Sequence, residues 1–179
     1  MVHRFLHFSD DPGIQRFVPR ATFAKRPAGM EWLNGPLVWA IEEAHEFMYL
    51  FPRGCPRILV WPVATTSDED RERWLQHSSA KVVAHVEWSW IERIQSGVLY
   101  RYELPGAGFQ DLGDAGMWVS REAVAPTARE RLDGLFSDLA AAGVELRVVH
   151  SLVPLAGLWD QTTMHVSGIR LRNARGWPT

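Results

Sequence analysis

The chain is punctuated too often to build long elements. Its 14 glycines and 11 prolines break the sequence into short stretches, and most of those stretches alternate apolar with polar residues, the period of a strand. Residues 4–8 are aromatic and end at Ser9-Asp10-Asp11-Pro12-Gly13, a strand closed by a turn. Residues 36–40 read as a buried strand, and 57–63 as a β-rich run that Pro62 places at an edge or strand end. Residues 81–87, 98–104, 117–120, 144–148 and 164–171 add further strands; in 81–87, Val82, Ala84 and Val86 point one way. Helical spacing interrupts this series. Ala40, Ala44, Phe47, Met48 and Phe51 recur at that spacing over 41–51, and Pro52 limits the helix. Ser67 can cap a short polar helix through Leu75, and a one- or two-turn helix over 88–95 is expected to end at Gly97. A longer helix is expected over 127–142. There Thr127 and Glu130 have capping-box spacing, Leu132, Leu135, Phe136, Leu139 and Ala140 form an apolar stripe, and Gly143 supplies the stop. Residues 19–36 form the longest irregular segment. Strands adjacent in sequence with helices interspersed predict an α+β fold built on an antiparallel or mixed sheet.

Composition sets the bounds. A chain of 179 residues is expected to be a single globular domain spanning 1–179, and can bury roughly 70% of its unfolded surface without a metal or disulfide staple. Nineteen basic residues against 21 acidic ones give a formal charge of −2, which argues against a broad nucleic-acid surface. The single cysteine, Cys55, excludes an internal disulfide and a multi-cysteine zinc site. It fits a reducing, cytoplasmic location. Asp10 and Asp11 come too early for a signal peptide, and the longest apolar runs, 36–41 and 58–64, fall far short of the ~20 residues that span a membrane. Nine tryptophans stand against three tyrosines. Arginine outnumbers lysine 17 to 2, which we read as the codon composition of the source genome.

Several residue patterns bear on chemistry. His3 and His7, four apart on a strand, share a face, but no third or fourth ligand has metal-site spacing, so structural histidines and no metal are expected. There is no HExxH, G-x-S-x-G, P-loop or G-x-G-x-x-G motif. Cys55 follows a helix, where the dipole disfavours a thiolate, and reads as a buried, inert residue. Glu42, His45, Glu46 and Tyr49 form a second stripe on the 41–51 helix. A solvated face explains the charges, whereas an aromatic among them implies that a loop or a ligand covers Tyr49.

The runs His7-Phe8-Ser9, Asp11-Pro12-Gly13-Ile14, 36–41, Leu50-Phe51-Pro52-Arg53, 100–105, 118–121 and 169–174 resemble a family of uncharacterised small bacterial proteins across nearly the whole chain. The layout is also similar to the ADP-ribosyltransferase fold in its histidine-type branch. His7-Phe8-Ser9 matches the His-x-Ser/Thr of the first strand, and Trp39-Ala40 with Tyr49 matches the spacing of the second motif. Met117-Trp118-Val119 aligns with the later Glu-Tyr strand, so methionine stands where the glutamate would be. That resemblance implies a split sheet, a nicotinamide ribose held by His7 with help from Ser9, and a nicotinamide ring stacked on Tyr49. The glutamate would stabilise an oxocarbenium-like centre; Met117 cannot, and Glu122 or Glu103 would have to substitute.

The expected function is therefore binding of a nucleotide or sugar, NAD or an ADP-ribose-like molecule, with weak or absent catalysis. The cleft would lie between the half-sheets, lined by His7, Ser9, Trp39, Tyr49 and Trp118. Arg20 and Arg53 are candidate phosphate ligands, because guanidinium makes bidentate contacts. The alternative is a non-enzymatic interaction protein with a vestigial cleft, its tryptophans serving a core or a homodimer interface. A metal-dependent hydrolase is the third class.

Overall fold

The computed structural model describes residues 4–21, 29–75 and 78–178. His3 and residues 22–28 of the irregular segment lie outside the described residues. The chain forms two compact units, one comprising Met1–Tyr49 and Leu99–Leu132, the other Leu50–Val98 and Asp133–Thr179. The fold class is α+β, as the mixture of periods predicts.

The first unit is a six-stranded antiparallel sheet. It contains β1 (Phe5–Ser9), β2 (Val38–Glu42), β5 (Leu99–Leu104), β6 (Gln110–Asp111), β7 (Met117–Ser120) and β8 (Ala128–Leu132), in the order β6-β7-β2-β1-β5-β8. Phe5 lies opposite Leu104 and Glu42, His7 opposite Tyr102, and Ala40 opposite Trp118. Directly opposed residues share a face. Phe5, His7, Ser9, Val38, Ala40, Tyr100, Tyr102, Leu104 and Trp118 therefore lie on one face. Leu6, Phe8, Trp39, Ile41, Arg101, Glu103 and Met117 lie on the other. The Phe5 face carries a core of Phe5, Val38, Ala40, Tyr102 and Leu104, closed by Phe17 and Val124. The backbones of Phe17 and Val124 exchange bonds of 2.7 and 2.9 Å.

The second unit holds β3 (Arg57–Trp61), β4 (Val82–Glu87), β9 (Val144–Val149) and β10 (His165–Ile169), in the order β10-β3-β4-β9. Only β4 and β9 run parallel. Ile58, Leu59, Val60, Val83, Ala84 and Val86 are 0% exposed, so the two central strands are covered on both faces. This is why 81–87 does not behave as a two-faced strand: all six residues of β4 are buried, His85 and Glu87 included. Three short helices belong here, α1 (Asp68–Leu75), α2 (Ile91–Gln95) and α3 (Leu135–Ala141). Ser67 caps α1, its Oγ accepting the Asp70 N–H at 3.2 Å.

Three sequence expectations are corrected. The helix expected over 127–142 is two elements. Residues 128–132 are β8, paired with β5; Thr127 donates its N–H to the Glu103 carbonyl at 2.9 Å, and Glu130 is bonded to Arg101. The capping-box side chains are thus engaged by a neighbouring strand. Only Leu135–Ala141 is helical, with Leu135 and Leu139 buried and Phe136 exposed, and Gly143 (φ 76°) stops it as expected. The helix expected from Ile41 is also shortened. Ile41 and Glu42 stay in β2, held by β1 and β7, and Glu43–Tyr49 is a tighter 3-10 helix. Finally, Gly97 is not a left-handed stop but a close approach: a Cβ there would lie 2.6 Å from the Arg93 carbonyl oxygen and 3.1 Å from Leu135 Cδ1.

Candidate functional site

The site of the first unit forms where its sheet comes apart. Strands β1 and β2 pair only at Phe5–Glu42 and Leu6–Ile41, and one residue later the ladder stops. His7 occupies that fork. Its Nδ1 lies 2.8 Å from the Trp39 carbonyl oxygen, so the imidazole takes over a bond that a backbone N–H would make in a continued ladder. A carbonyl only accepts, so Nδ1 carries a hydrogen, and in the neutral ring Nε2 is then the acceptor. The His7 ring packs at 4.5 Å from that of Phe17, and Phe17 meets Tyr102 edge-on at 5.3 Å.

The loop after β1 is fixed by polar contacts along its length. Ser9 Oγ accepts the Asp11 N–H at 3.1 Å, and Asp11 Oδ1 accepts the Gly13 N–H at 2.7 Å. The Tyr102 hydroxyl, on a residue 1% exposed, donates to the Asp11 carbonyl at 2.7 Å and accepts the Ile14 N–H at 3.2 Å. Arg129 bonds the Pro12 carbonyl. Ser9 therefore builds the loop that carries Phe17 onto His7, and Tyr102, which nothing in the sequence singled out, is the loop's main anchor. On the same face Ala40 lies opposite Trp118, whose indole N–H donates to Glu42 at 2.8 Å and whose ring meets Phe5 at 4.8 Å.

His7, Ser9 and Trp118 thus share the Phe5 face. Tyr49 does not join them, which corrects the expectation that His7 and Tyr49 converge. Its ring stacks on Phe8 at 6.3 Å, and its hydroxyl donates to Met117 Sδ at 3.8 Å; Phe8 and Met117 are on the Leu6 face. The stripe it belongs to is covered by the sheet, with Glu46 bonding Arg101 at 2.7 Å. The Trp39 side chain also lies on the Leu6 face, packed with Leu33, Leu37 and Val119, so Trp39 reaches the fork through its carbonyl. Arg20 is exposed, its backbone bridged to Leu37 just ahead of β2. Arg53 belongs to the second unit.

The two substitute carboxylates are placed differently. Glu103 lies on the Leu6 face and accepts from Arg4 Nη2 at 2.9 Å. That bond, with the neighbouring Glu43, holds the Arg4 guanidinium pKa above its ordinary value. Glu122 is exposed beyond the end of β7, its N–H donated to Ser120 Oγ at 3.1 Å. Arg101 is half-buried; burial opposes its charge, but bonds to Glu46 and Glu130 outweigh it and hold the pKa above the ordinary value.

Cys55, in the second unit, is 0% exposed, and burial pushes its thiol up to about 12, the environment of an inert cysteine. Among the described residues no group of three or more His, Cys, Asp or Glu could hold a metal ion. No helix among them is long and apolar enough to cross a membrane.

An α+β chain with an antiparallel sheet forked at a histidine and a second, mixed sheet is the class that fold and site define. The chain belongs to a family of unknown function, DUF6886, whose model matches residues 6–174. No curated protein and no solved structure matches it.

Proposed function

We propose that the protein binds a ribose-bearing ligand of the NAD or ADP-ribose type at the β1–β2 fork, with His7 as the hydroxyl acceptor, on a sheet of ADP-ribosyltransferase-like design. The observation that carries this reading is the Nδ1 contact to the Trp39 carbonyl. It orients the ring, and in the neutral imidazole it makes Nε2 the nitrogen able to accept a hydroxyl hydrogen. Arg20, exposed and bridged by its backbone to Leu37 just ahead of β2, is the candidate for a phosphate.

Binding without efficient glycosyl transfer is expected, because the carboxylate on the His7 face, Glu42, already accepts the Trp118 indole N–H at 2.8 Å. An oxocarbenium-like centre held at His7 needs an anionic oxygen on the same face. Met117 points to the other face, as does Glu103, which is ion-paired with Arg4. Tyr49 lies outside this reading.

The test is calorimetric titration of the full chain with ADP-ribose and NAD. We expect saturable binding that His7→Ala weakens roughly two- to tenfold, the worth of one neutral hydrogen bond, and little NAD turnover. Absence of binding, or unchanged affinity in His7→Ala, refutes the reading. Robust NAD cleavage would instead return a carboxylate, Glu122 or Glu103, to the catalytic role.

A further inference from the structure

An edge strand presents a row of backbone donors and acceptors that another chain can pair with. In the second unit β9 is such a strand: among the described residues it pairs only with β4, to which it runs parallel. All six of its residues are half-buried. The Gly143 carbonyl, just ahead of β9, accepts the Lys81 N–H at 2.8 Å and the Val82 N–H at 3.3 Å, so it points towards β4. Along a strand the N–H and C=O of one residue point to one side and those of the next residue to the other. The backbone groups of Glu145, Arg147 and Val149 therefore face β4. Those of Val144, Leu146 and Val148 face outward.

The side chains of this edge are complementary to themselves. Val144, Leu146 and Val148 share one face of the strand, Glu145 and Arg147 the other. In an antiparallel pair of two copies about a twofold axis, one residue lies opposite its own copy. With Leu146 in that place, Val144 lies opposite Val148 of the second copy and Glu145 opposite Arg147. Every outward N–H and C=O from Val144 to Val148 then finds a partner. The Glu145–Arg147 contacts fall at the non-hydrogen-bonded positions, where side chains come closest. Within one chain Arg147 Nε already donates to Glu145 at 2.8 Å, so the two pairs meet across the axis as a quartet of alternating charge. Centring on Glu145 or Arg147 would instead set a charge against its own copy. The outer strand β8 of the first sheet shows the contrast: centred on Glu130, it opposes Glu130 to itself and Arg129 to Arg131, the like-charge arrangement that keeps an edge single.

We propose that β9 is a self-association edge: two copies of this chain pair antiparallel through β9, with the twofold axis at Leu146, and join their four-stranded sheets into one. A strand edge buries less surface than an obligate interface, so the dimer is reversible and depends on concentration. It stands independently of the His7 reading.

Sedimentation velocity of the full chain from about 1 μM to about 1 mM tests it, with a reversible monomer–dimer equilibrium expected in that range. Glu145→Arg sets arginine against Arg147 of the second copy, and Arg147→Glu sets glutamate against Glu145. Each should weaken self-association about tenfold or more, in proteins whose melting curves confirm folding. An equimolar mixture of the two variants should dimerise again, because each copy then supplies the charge that the other lacks. Arg170→Glu, at an exposed arginine outside β9, should leave the equilibrium unchanged. In the wild type, amide exchange at Leu146 and Val148 should slow as concentration rises, while that at Glu145 and Arg147 should not change. A chain that stays monomeric to about 1 mM, single variants that dimerise like wild type, a mixture that does not recover, Arg170→Glu as damaging as the β9 variants, or Leu146 exchange independent of concentration would overturn the proposal.

Discussion

Tyr102→Phe isolates what holds the loop over the fork. The substitution removes one oxygen from a side chain 1% exposed and leaves the ring, so almost no cavity forms. Two hydrogen bonds go with it, the 2.7 Å donation to the Asp11 carbonyl and the 3.2 Å acceptance from the Ile14 N–H. A neutral hydrogen bond contributes about 0.5–1.5 kcal/mol net. Asp11 is exposed and its carbonyl can turn to water, whereas Ile14 is half-buried and its N–H is harder to rehydrate. The two bonds together should therefore cost about 1–3 kcal/mol. At roughly 2–4 °C per kcal/mol for a chain of this size, a loss of about 2 kcal/mol lowers Tm by about 4–8 °C.

Denaturant unfolding of wild type and variant measures the cost. Amide exchange at Ile14 localises it, because exchange there should accelerate while that of the central strands β3 and β4, in the second unit, need not. A cost under about 0.5 kcal/mol with unchanged Ile14 exchange would refute the assignment of Tyr102 as the loop's anchor. The loop would then rest on Phe17 and on the Ser9 and Asp11 turns alone.

Two other perturbations read the second unit. Leu135→Ala, at a side chain 0% exposed, should cost about 2–5 kcal/mol in denaturant unfolding; a loss below about 0.5 kcal/mol would show that α3 does not dock through it. Burial, with Arg147 nearby, pushes the His85 imidazole down to about 4 from 6.5, so the unfolded chain takes up its proton at a higher pH than the folded one. His85 therefore favours folding fully above pH 6.5, and stability falls as pH drops from 6.5 towards 4. His85→Leu should flatten that part of the stability–pH curve; an unchanged slope would place the acid sensitivity elsewhere.

The fold was legible where a strand's partners left its own pattern alone. Residues 98–104 alternate and form β5, and Ser67 caps α1 as its position suggests. Residues 127–142 mislead because their local signals are genuine but outweighed. Thr127 and Glu130 have the spacing of a helix start, and Leu132 continues the stripe of Leu135 and Leu139. Yet Leu99 and Arg101 supply a paired backbone and a counter-charge for Leu132 and Glu130, so a ladder to β5 replaces the cap. Leu132 is buried as the last residue of β8, and its helical spacing to Leu135 and Leu139 does not tell the strand from a helix.

The candidate site turned on parity. His7 and Ser9 share a face because they are two apart along β1, with Phe8 between them. Whether Tyr49 joins them depends on which face of the sheet the 43–49 turn covers, and no local pattern encodes that. Phe8 decides it: the residue between His7 and Ser9 necessarily points the other way, and Tyr49 stacks on Phe8. The same parity places Met117, opposite Ile41, beside Tyr49, and Trp118, opposite Ala40, on the face of His7. A carboxylate at position 117 would therefore face the Tyr49 hydroxyl, across the sheet from the imidazole. Restoring a glutamate there by Met117→Glu would place a charge among Tyr49 and Phe8 without supplying an anion at the fork. The position on the His7 face opposite Ala40 is 118, and it is occupied by an indole whose N–H is already committed to Glu42. The acidic group nearest in design to the fork is thus Glu42 itself, held by Trp118 on the His7 side of the sheet. Spacing along the sequence passes over it, because its place is set by the pairing of β2 with β1 and β7.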